Sequence, residues 1–332
     1  MTSRTKILLA GLAMVASASA FAQGSTLLNV SYDVAREFYK DYNAAFVAHY
    51  KKTTGKDIKI DQSHAGSSAQ ARAVADGLDA DVVTMNTSTD VDFLAGVGVV
   101  AKDWSKRFPN NAAPTTSTML ILVRNGNPKG IKDWDDLIKP GVQVVVVNPK
   151  TGGNGRYAYL AAWGYVKKKG GTDAQVAEFV GKLFKNVPIL ARGCRDATTA
   201  FLQRNIGDAL ISFESEVLSI DREFGAGKVD AVYPSVSIVA ENPVAVVERT
   251  VVKKGSAQLA KAYLDYLYSD EAQEIAAKHA IRPRSEKVLK KYEATFKPLK
   301  QFKRFNTLHP LRIIAPPRDR SGQLTLSFSA LG

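Results

Sequence analysis

The segment with the clearest chemical signature is a glycine-rich loop between an apolar run and an aromatic one. Residues 144–165 read VVVVNPKTGGNGRYAYLAAWGY, so Gly152, Gly153 and Asn154 stand between a predicted strand and a predicted helix. Glycine lets a ligand approach the backbone closely, and the unpaired N–H groups and dipole of a helix N-terminus favour an anion. The pattern indicates an anion site, although an ordinary strand-to-helix turn has the same composition. Neither a Gly-Lys-Ser/Thr ending nor a strict Gly-x-Gly-x-x-Gly is present, so no nucleotide is indicated.

Side chains able to act as nucleophile, acid or base are present but lack the spacing that catalysis needs. His64 lies near Ser67 without a Gly-x-Ser-x-Gly elbow, and both residue types commonly cap helices. Asp33 could be a general base, yet it stands where a helix cap would. Glu214 and Glu216 are spaced as strand neighbours on one face, which favours a solvated or salt-bridged face over an acid–base pair. We therefore expect no enzyme activity.

The histidines and the single cysteine do not form a metal-binding pattern. The four histidines show no ligand spacing, and no cluster of Cys, His and carboxylates resembles a zinc or iron site. Cys194 cannot form an intramolecular disulfide, and a free cysteine is more often a small buried hydrophobe than a nucleophile. We predict neither a metal nor a cofactor.

One order of elements recurs along the chain: an apolar strand, a short polar loop and an amphipathic helix. Loops of this kind occur at 31–33, 63–68 and 151–155, and a fourth helix is predicted to open at 197–199 and to end near Gly207. Strands that alternate with helices imply α/β layering, in which ligands lie beyond the carboxyl ends of the strands. Four loops rich in Ser, Gly and Thr could therefore face one pocket.

The N-terminus has the layout of a secretory signal peptide at residues 1–22. Arg4 and Lys6 precede an apolar stretch, and Ala20 and Ala22 provide a small-residue cleavage site. The apolar stretch is too short for a stable membrane anchor, and no similar run follows it. We therefore predict an exported protein.

The order of the remaining segments predicts two lobes. An extended run at 119–124 begins a second set of strands and helices, and the stretch 234–252 reads as an extended return. We assign residues 23–114 and 241–304 to lobe 1, and residues 115–240 to lobe 2. Two crossings between lobes make a hinged cleft.

The net charge of +13 favours an anionic ligand without indicating a nucleic-acid groove. The lysines are scattered along predicted helices rather than gathered into an arm or an aromatic-studded stripe. Export also argues against a nucleic-acid partner. We expect a monomer with a solvated basic surface.

Seven ordered segments resemble the periplasmic sulfate- and thiosulfate-binding proteins of ABC importers. Among them are NVSYDVAREFY, QSHAGSSAQARAV, ADVVTMNTSTDVDFL and NPKTGGNGRYAYLAAWGY, and the match spans about 27–302. The resemblance implies an α/β, type II periplasmic solute-binding fold, with two lobes and a hinged central cleft that closes on a dehydrated tetrahedral oxyanion. Neutral donors, mainly backbone N–H groups at helix N-termini, hold sulfate in that family, and the importer's membrane permease is the implied partner.

Carried over by position, the resemblance places the ligand loops on Asp33, Ser67, Gly152, Gly153, Asn154, Cys194 and Phe213. Gly152 replaces a serine of the sulfate-type members, and Phe213 replaces a tryptophan whose indole N–H reaches the anion. The thiosulfate-type members share SYDV, SHAGSS and ISFESEV with this chain. A soft terminal sulfur needs fewer strong donors, so the resemblance favours thiosulfate, with sulfate also bound. A binder of molybdate or phosphate, or an exported ester hydrolase, remains an alternative.

Two segments depart from the family pattern. The run LARGCRDATTAF differs around Cys194 and Arg195, and residues 305–332 lack the family's closing helical segment. A shifted reading frame would explain so abrupt a change. The tail has no periodicity and contains two adjacent prolines, so we predict poor order at 305–332.

Overall fold

The computed structural model describes residues 25–150, 152–225 and 227–303. Strands and helices alternate along these residues, which confirms the α/β class. The predicted signal peptide and the predicted tail lie outside the described residues, as does Thr151 of the glycine-rich loop. No helix in the described part of the chain combines the length and the apolar composition needed to cross a bilayer.

The strands are β1 (Thr26–Tyr32), β2 (Lys59–Ala65), β3 (Val82–Thr84), β4 (Thr115–Arg124), β5 (Val144–Val147), β6 (Leu190–Ala191), β7 (Ala209–Phe213), β8 (Val229–Val232), β9 (Ser237–Asn242), β10 (Val244–Val246), β11 (Arg282–Pro283) and β12 (Gln301–Phe302). The helices are α1 (Arg36–Thr54), α2 (Ser67–Ala75), α3 (Ser88–Gly96), α4 (Pro109–Ala112), α5 (Gly153–Lys168), α6 (Asp173–Lys185), α7 (Cys194–Leu202), α8 (Glu214–Phe224), α9 (Glu248–Lys254), α10 (Ala257–Tyr266), α11 (Asp270–Lys278) and α12 (Glu286–Lys291). Short 3-10 turns lie at Asp33–Ala35, Trp104–Lys106 and Trp134–Ile138.

The described residues form two compact units. Unit 1 contains 25–65, Ala69–Pro114 and Pro243–Ile275. Unit 2 contains Gly66–Ser68, Thr115–Asn242 and 276–303.

Unit 1 is built on a four-stranded sheet with the order β10-β3-β1-β2. Strand β1 pairs in parallel with both β2 and β3, whereas β10 is antiparallel to β3. A helix or 3-10 turn follows each of the three parallel strands. The carboxyl ends of β1, β2 and β3 therefore lie at one edge of this sheet.

A buried carboxylate joins the first and last segments of unit 1. Asp81 is fully buried and accepts hydrogen bonds from the Leu28 N–H and the Lys254 ammonium, both at 2.8 Å. The Ser256 hydroxyl donates to its other oxygen. A buried carboxylate is tolerated only when it is paired and hydrogen-bonded in this way.

Unit 2 contains a larger mixed sheet with the order β12-β9-β4-β7-β5-β6. The long strand β4 pairs with β9 through its first half and with β7 through its second half. Strand β5 is parallel to both β6 and β7, so these three strands share a carboxyl edge. The core on one face of the sheet includes Trp134, which is fully buried and donates its indole N–H to the Val236 carbonyl at 2.9 Å.

The last described segment, 276–303, packs with unit 2. The sequence analysis had assigned all of 241–304 to the first lobe. Strand β11 of this segment pairs with β4, and the Arg282 guanidinium forms two hydrogen bonds with the Glu214 carboxylate, at 2.7 and 2.9 Å. Phe302 fills the space beside Gly164, where an added Cβ would lie 1.9 Å from the ring. These contacts join residues far apart in sequence, which is why local pattern could not place the boundary.

Several predicted element boundaries were wrong. Glu214 and Glu216 lie in the helix α8 rather than on a strand. The helix predicted to open at 197–199 and to end near Gly207 is α7, which begins at Cys194 and ends at Leu202. The stretch 234–252 is extended only in part, because α9 begins at Glu248.

Candidate functional site

Three helices of unit 2 begin at one edge of its sheet. Helix α5 follows β5 with Gly152 as its N-cap, α7 follows β6 with Gly193, and α8 follows β7 directly with Phe213. Because β5, β6 and β7 are parallel neighbours, these three N-termini lie at the same carboxyl edge. The edge therefore presents the type of backbone donor that binds anions at helix ends.

These three N-termini lack side-chain caps within the described residues. Other elements of unit 2 are capped by their own side chains. Thr172 and Gln175 form a capping box on α6, Asp133 caps the turn at Trp134–Ile138, and Ser285 caps α12. The first N–H groups of a helix need a partner from a side chain, water or a ligand. The uncapped ends coincide with the loops that the sequence analysis selected.

The glycine-rich loop is closely packed where it enters α5. Gly152 has an extended backbone (φ −134°, ψ 138°), and Gly152, Gly153 and Asn154 are all buried. At Gly155 an added Cβ would lie 2.1 Å from the Val147 carbonyl oxygen, so the helix approaches the end of β5 more closely than a side chain allows. At Gly155, close packing of helix on strand requires glycine.

Asn154 connects the opening of α5 to the end of β7. Its amide Nδ2 donates to the Ser212 hydroxyl at 3.1 Å, and both residues are 1% exposed. The amide Oδ1 is buried without a hydrogen-bond partner among the described residues.

Cys194 and Phe213 stand at the other two openings. Cys194 is the first residue of α7 and is partly buried. It packs against both hydrophobic core clusters of unit 2. The Phe213 ring is buried in the core and meets the Tyr157 ring edge-on, with centroids 5.8 Å apart. At both positions, therefore, the side chain packs in the core and the backbone stands at the helix opening.

A carboxylate at the start of α8 is neutralised by its ion pair. Glu214 is fully buried, and burial raises the pKa of its carboxyl group while the hydrogen bonds and charge of Arg282 oppose that shift. The side chains of the pair are 0% and 13% exposed. This pair places no net negative charge beside the three helix N-termini.

Two further predicted site residues, Asp33 and Ser67, follow the adjacent parallel strands β1 and β2 of the unit 1 sheet, and Ser67 itself is counted with unit 2. Asp33 begins the 3-10 turn after β1, and its carboxylate forms an ion pair with Arg36 at 2.8 Å. Ser67 is the first residue of α2, which follows β2, and is 1% exposed. In β1, the buried Ser31 hydroxyl has no hydrogen-bond partner among the residues described.

The ring nitrogens of His64 are engaged by neighbours in unit 1. Nδ1 lies 3.4 Å from the Tyr32 carbonyl oxygen, and Nε2 is hydrogen-bonded to Gln62 Oε1. Burial lowers the pKa of His64, so the ring is neutral near pH 7 and donates from only one of these two nitrogens. This geometry gives the imidazole a structural role.

A third opening in unit 1 was not assigned from the sequence. Helix α3 begins at Ser88 after β3, its N-cap Thr87 makes no side-chain capping bond, and Asn86 and Thr87 are buried. The polar run NTST directly after a buried strand was the signal that could have identified it. Over the described ranges, no group of three His, Cys, Asp or Glu side chains could hold a metal ion.

Residues 29–282 match the family of bacterial extracellular solute-binding proteins. The chain belongs to this family. It is 58% identical over 291 residues to the thiosulfate-binding protein of Pseudomonas aeruginosa, with 87% of each chain covered. The sulfate-binding protein of Escherichia coli is 51% identical over 290 residues, which cover 87% of this chain and 88% of the relative. The predicted resemblance is confirmed.

The solved structure of the sulfate-binding protein SubI from Mycobacterium tuberculosis superimposes on this solute-binding protein with a TM-score of 0.75 and 30% identity. The superposition covers 84% of this chain and 94% of SubI. It confirms the predicted α/β solute-binding fold.

The packing at Gly155 generates a stability prediction. Gly155→Ala places a Cβ against the backbone of β5, so we expect it to lower the free energy of unfolding by about 3 kcal/mol, the upper range for overpacking. Gly181→Ala is the control: it lies in α6, its added Cβ meets nothing within 4 Å, and it should be neutral or stabilising by about 0.5–1 kcal/mol. Urea unfolding of both variants measures the difference. Equal stabilities would contradict the tight approach.

Proposed function

We propose that this solute-binding protein captures thiosulfate or sulfate in the periplasm and delivers it to the membrane permease of an ABC importer. The observation that carries the proposal is the set of three helix N-termini without side-chain caps at one edge of the unit 2 sheet. Relatives named for thiosulfate and sulfate binding, at 58% and 51% identity, support the choice of anion.

The energetics of an oxyanion dianion agree with donors of this kind. A hydrogen bond to a charged group is worth about 1.5–3 kcal/mol, and a partly buried helix N-terminus adds up to about 2 kcal/mol. Five to seven such bonds can offset the desolvation of the anion. They can still leave a binding free energy of about −8 kcal/mol or better, which is a micromolar or tighter dissociation constant. Neutral donors also disfavour a protonated oxyanion, whose own hydrogen needs an acceptor. Sulfate and thiosulfate are fully deprotonated near pH 7, unlike phosphate.

In unit 2 the proposal assigns Gly152, Gly153 and Asn154 to the anion through the start of α5, and Cys194 and Phe213 through the backbone at the starts of α7 and α8. The Phe213 ring has no N–H, so this side chain supplies no donor at the opening. A terminal sulfur accepts hydrogen bonds more weakly than oxygen does, so the missing donor costs thiosulfate less than sulfate. This supports a preference for thiosulfate, with sulfate also bound.

The resemblance also assigns Asp33 and Ser67 to the anion, and we retain that assignment as part of the proposal. The Asp33 carboxylate is paired with Arg36, which reduces its repulsion of an anion and leaves the backbone of the turn as the useful donor. Ser67 offers a backbone N–H at the start of α2 and a hydroxyl. A loss of anion affinity when Ser67 is substituted would support its assignment to the binding site.

We also propose that the protein is a monomeric binding protein rather than an enzyme, and that it has no nucleic-acid partner. Its relatives are named as binding proteins, and its own His64 is engaged by Gln62 and Tyr32. A molybdate- or phosphate-binding protein shares the fold and is the second candidate. An exported ester hydrolase is the third candidate, and a turnover assay on sulfate and phosphate esters tests it.

Isothermal titration calorimetry with four anions tests the proposed function. We expect thiosulfate and sulfate to bind with micromolar or tighter affinity near pH 7, because the site offers neutral donors. Phosphate, which carries a proton near pH 7, should bind at least about tenfold more weakly, a difference of about 1.4 kcal/mol. Molybdate binding tighter than that of sulfate and thiosulfate would favour the second candidate. Phosphate binding as tight as that of sulfate would refute the neutral-donor reasoning.

Replacing Gly153 with proline tests the backbone donor at α5. Proline is tolerated at the first helical position, and Gly152 already has the extended conformation that a residue before proline prefers. Gly153→Pro should therefore keep the helix, remove one N–H, and weaken thiosulfate binding by about 2–4 kcal/mol, or thirtyfold to nearly a thousandfold. Gly153→Ala keeps the N–H and is the matched control. If both variants bind thiosulfate alike, the glycine serves only the turn.

Replacing Phe213 with tryptophan tests the proposed preference between anions. An indole N–H at the start of α8 should raise the affinity for sulfate relative to thiosulfate by up to about 1.5–3 kcal/mol, the value of one hydrogen bond to a charged group. Competition titrations of the wild type and the variant give the ratio directly. An unchanged ratio in a folded variant would mean that the indole stays in the core, as the Phe213 ring does, and does not reach the ligand.

A further inference from the structure

The Asn154 side chain is a buried amide with only one of its two ends satisfied. Nδ2 donates to the Ser212 hydroxyl at 3.1 Å, whereas Oδ1 has no hydrogen-bond partner among the described residues. Asn154 is 1% exposed and is the second residue of α5, a helix of 16 residues. Buried polar atoms are nearly always paired, so an unpaired one at a helix N-terminus needs an explanation.

The Asn154–Ser212 pair can be inverted without losing its hydrogen bond. A serine hydroxyl both donates and accepts, and the two ends of an asparagine amide have nearly the same shape. When the amide is turned over, the Ser212 hydroxyl donates to Oδ1, and Nδ2 takes the position of the unpaired atom. The same residue then presents two neutral donors at the start of α5, its backbone N–H and its side-chain NH₂.

We propose that the Asn154 side-chain amide donates directly to the bound oxyanion in this inverted orientation, with Ser212 as the residue that positions it. This inference rests on the proposed function and specifies the class of ligand further: a fully deprotonated tetrahedral oxyanion, which only accepts hydrogen bonds. A neutral amide adds a donor without adding a charge. It also pairs the amide end that is otherwise buried without a partner.

A purely structural role makes a different prediction. If the amide only ties the loop to β7, then Asn154→Ala and Ser212→Ala remove the same hydrogen bond, lower the melting temperature alike, and leave anion affinity near that of the wild type. If the amide binds the anion, Asn154→Ala lowers the affinity more than Ser212→Ala does. It also lowers the affinity when Ser212 is already alanine.

The test is calorimetry with thiosulfate and with sulfate on the wild type, Asn154→Ala, Ser212→Ala, the double variant and Asn154→Asp. We expect Asn154→Ala to bind about tenfold to a hundredfold more weakly, the fold-change of one hydrogen bond to a charged group. Asn154→Asp should lose more, because a carboxylate of the same shape only accepts and repels the anion. Asn186→Ala is the control: that amide donates to the Leu137 and Lys139 carbonyls elsewhere in unit 2, so stability should change and affinity should not.

A second readout does not depend on the variants folding. In ¹⁵N-labelled wild-type protein, the side-chain NH₂ signals of Asn154, assigned by through-bond experiments, should shift when thiosulfate is added. Unshifted signals at saturation would overturn the inference.

The remaining outcomes separate this inference from the proposed function. If the wild type bound neither thiosulfate nor sulfate, the proposed function itself would fail, and the inference with it. Wild-type binding together with an Asn154→Ala affinity within about twofold of it, well below the loss expected for one charged hydrogen bond, would overturn only the role of the amide. If Asn154→Ala abolished tight binding of hydrogen phosphate but left the affinity for sulfate unchanged, the amide would be offering its oxygen to the phosphate hydroxyl, which contradicts the donor role.

Discussion

The candidate site in unit 2 depends on parallel pairing of three neighbouring strands. Strands β5, β6 and β7 run in the same direction, so the helices that follow them all begin at one edge. Each helix brings N–H groups that its own backbone cannot pair. Since the N-cap residues of these helices make no side-chain capping bond, the edge presents backbone donors to a ligand. Its suitability for an anion is therefore a property of topology more than of any charged side chain.

Two carboxylates at element openings, one in each unit, are paired before any ligand is considered. Glu214 stands at the start of α8 and is held by two hydrogen bonds from Arg282, while Asp33 in unit 1 is held by Arg36. A net carboxylate would repel an anion, and an unpaired cation would bind anions of many kinds. Neutral donors instead select by shape and by protonation state. The net charge of +13 then acts as a long-range field, which raises the rate of anion encounter rather than its specificity.

Patterns within short stretches of the sequence located the helix openings but misplaced some helix boundaries. They marked the loop before α5 because three glycines and an asparagine follow four valines. They began α7 three residues late, at Ala197 instead of Cys194, because the polar run before Ala197 reads as loop until the packing of Cys194 is known. They placed Glu214 and Glu216 on a strand because their alternate spacing is that of neighbours on one strand face, whereas both lie in the first turn of α8.

The sequence by itself determined the class of fold, the family, and the kind of chemistry to expect, since apolar periodicity, glycine placement and ordered motifs are local properties. Only the tertiary structure decided which openings share an edge, since strand order is set by pairing between distant segments. It also decided that Asn154 meets Ser212, 58 residues away, and that 276–303 packs with unit 2. Such contacts depend on burial and register across the whole sheet, and no short stretch of sequence contains that information.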